Sequence, residues 1–119
     1  MFNVDVENNI ISLSKGDTGA VTIAVGGYSF GENDRALFSI KAGNGQIVKQ
    51  KAYELVNNKF TVTFFNADTK TLAPGGYSWD VRYVINPYYN ENGDIVDGDQ
   101  VLTPNLPMQC NLIQIVGDI

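Results

Sequence analysis

The chain has 119 residues, 44% of them apolar, and a net charge of −5, a composition that predicts a single globular domain over residues 1–119. Histidine is absent and cysteine occurs once, which excludes histidine-based catalytic triads, most zinc sites and an intrachain disulfide. No cationic residue follows Arg82, whereas Glu91 and four aspartates do, so we expect repulsion from nucleic acid and from anionic membranes.

Residues 1–9 show no cationic region followed by an apolar run, so we expect no secretory signal and folding in a reducing cytosol. Alternating apolar and polar residues, the pattern of a half-buried strand, then recur along the chain. We predict strands near 9–14, 19–25, 35–42, 46–54, 59–65, 76–84, 99–103 and 108–116, and the pattern also allows a short first strand at 2–6. Residues 67–72 fit one helical turn capped by Asp68 or Asn66.

Glycine and asparagine pairs predict the turns between these strands. Tight turns are expected at Asn44-Gly45 and Asn57-Asn58, and further turns at Asn92-Gly93 and Asp97-Gly98. The Asn57-Asn58 turn would join residues 51–56 and 59–65 as a hairpin. Seven or eight short strands with turns at this spacing predict an all-β sandwich of two antiparallel sheets.

The tripeptide Gly16-Asp17-Thr18 follows the first long strand. Gly16 permits a tight turn, and the side chains of Asp17 and Thr18 can bond backbone N–H groups there. We interpret this tripeptide as part of the fold in preference to a ligand site.

A second local motif, D-x-x-x-L-x-P-G-x-Y, leads into the strand predicted at 76–84. Its fixed residues are Asp68, Leu72, Pro74, Gly75 and Tyr77. The spacing is typical of a tyrosine corner, in which the tyrosine hydroxyl bonds to upstream backbone, and Leu72 would close one end of the sandwich. Tyr77 and Trp79 could instead form a ligand platform, but they alternate in phase with Val81, which favours burial.

Candidates for chemistry and binding lie in the segment of residues 86–100. Glu91, Asp94, Asp97 and Asp99 could supply a glycosidase pair or calcium ligands, but they sit in a polar, glycine-bearing stretch that favours solvated turns. Residues 90–94 also lack the spacing and distal glutamate of an EF-hand. We expect no catalysis and no cofactor.

Tyr88 and Tyr89 form an aromatic pair in a predicted loop or hairpin. Exposed tyrosines could anchor a protein partner or stack on a sugar, and they could also simply cover one edge of the sandwich. We take Tyr88 and Tyr89 as candidate interface anchors, with a carbohydrate-binding module as the alternative.

Four motifs occur in an order that resembles a known group. They are N-I-I-S-L-S-K-G-D-T-G at 9–19, the alternating strand at 21–25, F-x-I-K at 38–41, and D-T-x-x-L-x-P-G-x-Y-x-W-D-V at 68–81. This order is similar to the N-terminal domain of baseplate upper proteins and to related stand-alone virion proteins of phages that infect Gram-positive bacteria. The resemblance covers roughly residues 9–84, and the segment 86–100 is long for the pattern.

The resemblance implies an immunoglobulin-like sandwich that docks into a phage or prophage tail, baseplate or neck, without catalysis. It implies other virion proteins as partners, leaves a homo-oligomer open, and places the protein in the virion after synthesis in the cytoplasm of the bacterial host.

Overall fold

The computed structural model of the chain describes residues 2–5, 7–14 and 16–103, and the strand formed by residues 111–116. This part of the chain contains nine strands and one helical turn. They are β1 (Asn3–Asp5), β2 (Ile10–Ser14), β3 (Gly19–Ala24), β4 (Arg35–Lys41), β5 (Ile47–Glu54), β6 (Lys59–Phe64), α1 (Asn66–Thr69), β7 (Gly75–Tyr89), β8 (Ile95–Leu102) and β9 (Asn111–Val116).

The strands form two sheets packed face to face, which confirms the predicted all-β sandwich. The larger sheet has the order β1-β2-β9-β7-β4-β5, and β8 also pairs with β7. The smaller sheet is the β3-β6 pair. All pairs are antiparallel except β2 with β9, which is parallel.

The core forms because the inward positions of facing strands carry the large apolar side chains. On the smaller sheet Phe60, Val62 and Phe64 are buried, and on the larger sheet Phe38 and Trp79 meet them. The Phe38 ring centroid lies 6.0 Å from that of Phe64 and 5.5 Å from that of Trp79. Burial of each such side chain stabilises the fold by roughly 1.5–3 kcal/mol, so the alternation in sequence is the main determinant of the sandwich.

Two predicted turns need correction. Asn57 and Asn58 do adopt positive φ, but β5 and β6 lie in different sheets and meet only at the bridge between Val56 and Lys59. Leu55, which lies between the two strands where the chain passes from one sheet to the other, is buried in the core. The predicted 51–56/59–65 hairpin is therefore wrong, whereas Asn44-Gly45 closes a tight turn with the Gly45 N–H donating to the Ala42 carbonyl at 2.9 Å.

Asp97-Gly98 forms no turn and lies inside β8. A Cβ at Gly98 would lie 2.5 Å from Val84 Cγ1 and 2.8 Å from the Ile85 carbonyl oxygen. Glycine is therefore needed for close approach to β7, not for a change of direction. The remaining predicted turn, Asn92-Gly93, does close the hairpin between β7 and β8, with the Gly93 N–H donating to the Asn90 carbonyl at 3.0 Å.

The strands at this hairpin are longer than predicted. β7 continues to Tyr89 and β8 begins at Ile95, where we predicted 76–84 and 99–103. Of the predicted strands at 2–6 and 108–116, residues 6 and 108–110 lie outside the described residues. Nowhere in the described residues is there a helix with the length and apolar character needed to cross a membrane.

Candidate functional site

The Gly16-Asp17-Thr18 tripeptide is bound to the helical turn α1. Gly16 has a φ of 84°, its N–H donates to Thr69 Oγ1 at 2.9 Å, and its carbonyl accepts from Asn66 Nδ2 at 3.0 Å. Asp17 closes the turn locally, because the Ser14 N–H donates to Asp17 Oδ2 at 2.9 Å. Thr18 is exposed. These contacts join the first long strand to α1, which is a structural task.

The motif before β7 has the geometry of a tyrosine corner. The Tyr77 hydroxyl donates to the Ala73 carbonyl oxygen at 2.6 Å, and Leu72 packs against the core. Pro74 and Gly75 are exposed at the start of the strand, where Gly75 has a φ of 154°. The corner therefore fixes the point at which β7 enters the larger sheet.

A buried acid connects the helical turn α1 to the larger sheet. Asp68, in α1, accepts the Phe65 N–H at 2.7 Å and pairs with Lys51 Nζ at 2.9 Å. Burial alone would raise the pKa of Asp68, but the Phe65 N–H and the Lys51 ammonium outweigh it and hold that pKa below its ordinary value. Asp68 thus links the helical turn to β5.

Trp79 does not form a ligand platform. It is 5% exposed, and its Nε1 donates to the Asn9 carbonyl at 3.1 Å. A sugar needs an open aromatic face for stacking, and Trp79 has no such face.

Four exposed large apolar side chains lie on residues 85–102, the distal part of the β7–β8 hairpin, which we call the hairpin arm. Other exposed ones, such as Val56 and Phe65, lie elsewhere on the described surface. Tyr88 is 49% exposed, Tyr89 51%, Val96 62% and Val101 44%. The arm is a continuation of β7 beyond the point where β4 stops pairing with it, since the last β4 contact is at Val84. The two tyrosines predicted as interface anchors are therefore in a strand, and both side chains remain accessible.

A buried carboxylate that the sequence analysis missed anchors the base of the arm. Asp34 is 6% exposed, and its carboxylate accepts the Gly31 N–H at 2.7 Å and the Asn86 N–H at 3.1 Å. Asn86 takes a positive φ of 46° at this point. The available signal was the spacing Gly31 to Asp34, which is typical of a side-chain-closed turn, but nothing in that spacing pointed to Asn86.

A second set of contacts lies along one face of the arm. Asp99 accepts Asn86 Nδ2 at 3.0 Å and also accepts the Tyr88 hydroxyl. The hydrogen bond to Asp99 raises the pKa of Tyr88, and the bonds from Tyr88 and Asn86 lower the pKa of Asp99. Tyr88 is therefore held in one orientation while half of its surface stays exposed.

Beside the arm is an open groove with mixed lining. Arg35 and Asn33 come from the segment around the start of β4, and Asn86, Pro87, Tyr88 and Tyr89 come from the arm. The groove thus combines two aromatic rings with amide and guanidinium donors.

The acidic residues of the segment lie on the surface of the hairpin arm. Glu91, Asp94, Asp97 and Asp99 are all exposed, whereas the acid of a glycosidase needs an apolar pocket. Among the described residues, no group of three or more carboxylate or thiol side chains is arranged to hold a metal ion.

No protein-family model matches this chain, and neither a curated protein nor a solved structure matches it. The residues of the chain itself are therefore the basis for assigning a role.

Proposed function

We propose that the chain is a non-catalytic structural protein of a phage or prophage virion, a tail, baseplate or neck component that docks to other virion proteins. The observation that carries this proposal is the hairpin arm, where Tyr88, Tyr89, Val96 and Val101 are all between 44% and 62% exposed. Tyrosines that combine apolar area with a fixed orientation are typical anchors of protein interfaces.

The hydrogen bonds that hold the arm favour a binding role for its exposed side chains. Asp34 holds the backbone at Asn86, and Asp99 holds the Tyr88 ring. A preorganised arm loses little conformational entropy on association, so more of the energy from burying its apolar surface appears as affinity. Its net negative charge favours a partner surface that is positively charged.

The virion setting rests on the resemblance of the motifs in residues 9–84. The immunoglobulin-like sandwich is the fold that this resemblance implies, and the contacts of Gly16-Asp17 and Tyr77 give its motifs structural tasks. Because these motifs have structural tasks, we place the docking surface on the arm, where Tyr88 and Tyr89 are exposed next to each other.

The proposal is tested with the double variant Tyr88→Ala/Tyr89→Ala and with Tyr28→Ala as the matched control, because Tyr28 is an exposed tyrosine outside the arm. Both proteins are produced during particle assembly, and their incorporation into purified particles is measured. We expect the double variant to be lost from particles and the control to be retained, with circular dichroism unchanged for both. Full incorporation of the double variant would contradict the proposal.

The groove beside the arm supports one alternative, a carbohydrate-binding module. Its two tyrosines, together with Arg35 and Asn33 of the lining, resemble the mixture of stacking and hydrogen-bonding groups that sugars require. Binding on a glycan array that is abolished by Tyr88→Ala would favour this alternative. No binding across a broad glycan array, combined with loss of Tyr88→Ala/Tyr89→Ala from particles, would favour docking to protein.

A further inference from the structure

The strand β8 has an open outer edge. Among the described residues, β8 (Ile95–Leu102) pairs only with β7. It lies on the opposite side of β7 from β4, since both strands pair with Tyr83 and Val84. An edge without a neighbour presents unpaired N–H and C=O groups to an incoming strand. The outer edge of β8 therefore offers the hairpin arm a second means of binding beside its exposed tyrosines.

The directions of the backbone groups in the arm follow from Asn86. Its N–H donates at 3.1 Å to the buried carboxylate that immediately precedes β4, on the side of β7 away from β8. Successive residues of a strand direct their backbone groups to opposite sides, so Ile85 directs its groups toward β8. Ile85 lies opposite Gln100. Gln100 therefore faces β7, and its neighbours Asp99 and Val101 direct their N–H and C=O groups to the outer edge.

The side chains along this edge are acidic. Asp97, Asp99 and Val101 alternate along β8, so they share one face, and all three are exposed. Residues 83–103 contain no lysine or arginine. Opposite charges on facing strands stabilise their pairing, and like charges destabilise it. The edge therefore disfavours a strand that is itself acidic, such as β8 of a second copy, and favours a strand with cations at alternate positions.

Both carboxylates are oriented in the free chain. Asp99 accepts Asn86 Nδ2 at 3.0 Å and the Tyr88 hydroxyl, and Asp97 Oδ1 accepts the Gly98 N–H at 2.9 Å. Side chains that are already held lose less conformational entropy on binding. Tyr88 pairs with Asp97 across the hairpin and so lies on the same face. A strand bound at this edge would therefore also cover Tyr88.

We propose that a partner protein adds an extended strand to the outer edge of β8, with lysine or arginine side chains facing Asp97 and Asp99. This inference rests on the proposed docking role and specifies how the hairpin arm binds. Main-chain hydrogen bonds to Asp99 and Val101 hold the added strand, and the alternate side chains give its specificity. The two carboxylates exclude acidic strands from the same edge.

Two matched pairs of variants of the full chain test this proposal. Val101→Pro removes an outward N–H, and proline is compatible with the free side of an edge strand, whereas Val101→Ala shortens the side chain and keeps the N–H. Asp97→Lys reverses a charge on the edge. Asp94→Lys reverses an exposed charge just before β8 begins.

Each variant is produced together with an equal amount of wild-type chain during particle assembly. The ratio of variant to wild type in purified particles is measured by mass spectrometry, and circular dichroism checks that each variant is folded. We expect Val101→Pro to be depleted about fivefold, because one main-chain hydrogen bond is lost. Asp97→Lys should be depleted about tenfold, because an ion pair becomes a repulsion. Both controls should stay within about twofold of wild type.

Equal incorporation of Asp97→Lys and Asp94→Lys overturns the proposal, and so does equal incorporation of Val101→Pro and Val101→Ala. If either equality is found while Tyr88→Ala/Tyr89→Ala is lost from particles, the arm docks without an added strand and the proposed function stands. If Tyr88→Ala/Tyr89→Ala is also retained, the docking role itself is contradicted.

Discussion

Replacing Asp34 with alanine tests how the hairpin arm is held. The carboxylate accepts two backbone N–H groups, from Gly31 at 2.7 Å and from Asn86 at 3.1 Å, and is 6% exposed. A hydrogen bond to a charged group contributes roughly 1.5–3 kcal/mol. Because Gly31 and Asn86 are exposed residues, we expect water to replace part of the lost bonding, so that Asp34→Ala lowers the free energy of unfolding by about 2–4 kcal/mol.

The assay is a urea titration followed by the fluorescence of Trp79, the one tryptophan of the chain, which is buried. With an m-value of about 2 kcal/mol/M, the expected loss lowers the midpoint by about 1–2 M without changing m. Asp34→Asn keeps one acceptor oxygen and should lose about half as much. A midpoint lowered by less than about 0.3 M in Asp34→Ala would refute the view that this carboxylate anchors the arm.

Three further substitutions test other parts of the structure. Tyr77→Phe removes the bond to the Ala73 carbonyl and should lower the free energy of unfolding by about 1 kcal/mol in urea titration; no change would contradict the tyrosine corner. Tyr83 is 1% exposed, its hydroxyl has no hydrogen-bond partner among the described residues, and burial raises its pKa to about 12. Tyr83→Phe should therefore leave the free energy of unfolding unchanged or raise it by about 1 kcal/mol. A lower free energy of unfolding in this variant would show that the hydroxyl has a hydrogen-bond partner. The pKa of Asp68 is lowered from 3.8, so its contribution is complete above pH 3.8 and is lost as the pH falls through the folded-state pKa. In thermal melts, Asp68→Asn should therefore have a lower melting temperature than wild type at neutral pH, and this difference in melting temperature should shrink below about pH 4. A difference that stays constant with pH would contradict a stabilising role of the charged carboxylate.

The positions of the strands could be predicted from sequence because burial of one face leaves a direct record in the alternation of residues. Phe60–Phe64 and Tyr77–Tyr83 show this most clearly. The assignment of strands to sheets could not be predicted in the same way. The chain passes from one sheet to the other between β5 and β6, and the Asn57-Asn58 turn has the same sequence signal whether or not its flanking strands pair.

The candidate site was predicted only in part. Tyr88 and Tyr89 were identified, and they are exposed, but the strand that carries them was not. Gly98 was misread as a turn residue because a glycine required for close packing and a glycine required for a turn have the same sequence signal. Asp34 was missed because its partner at Asn86 is 52 residues away, a separation that local spacing does not report.

The most direct test of the central claim is hydrogen–deuterium exchange of the backbone amides of residues 86–98, compared between the free chain and assembled particles. If the hairpin arm is the docking surface, these amides should exchange at least about tenfold more slowly in particles than in the free chain. Equal exchange rates in the two states, with protection appearing elsewhere on the sandwich, would contradict the claim.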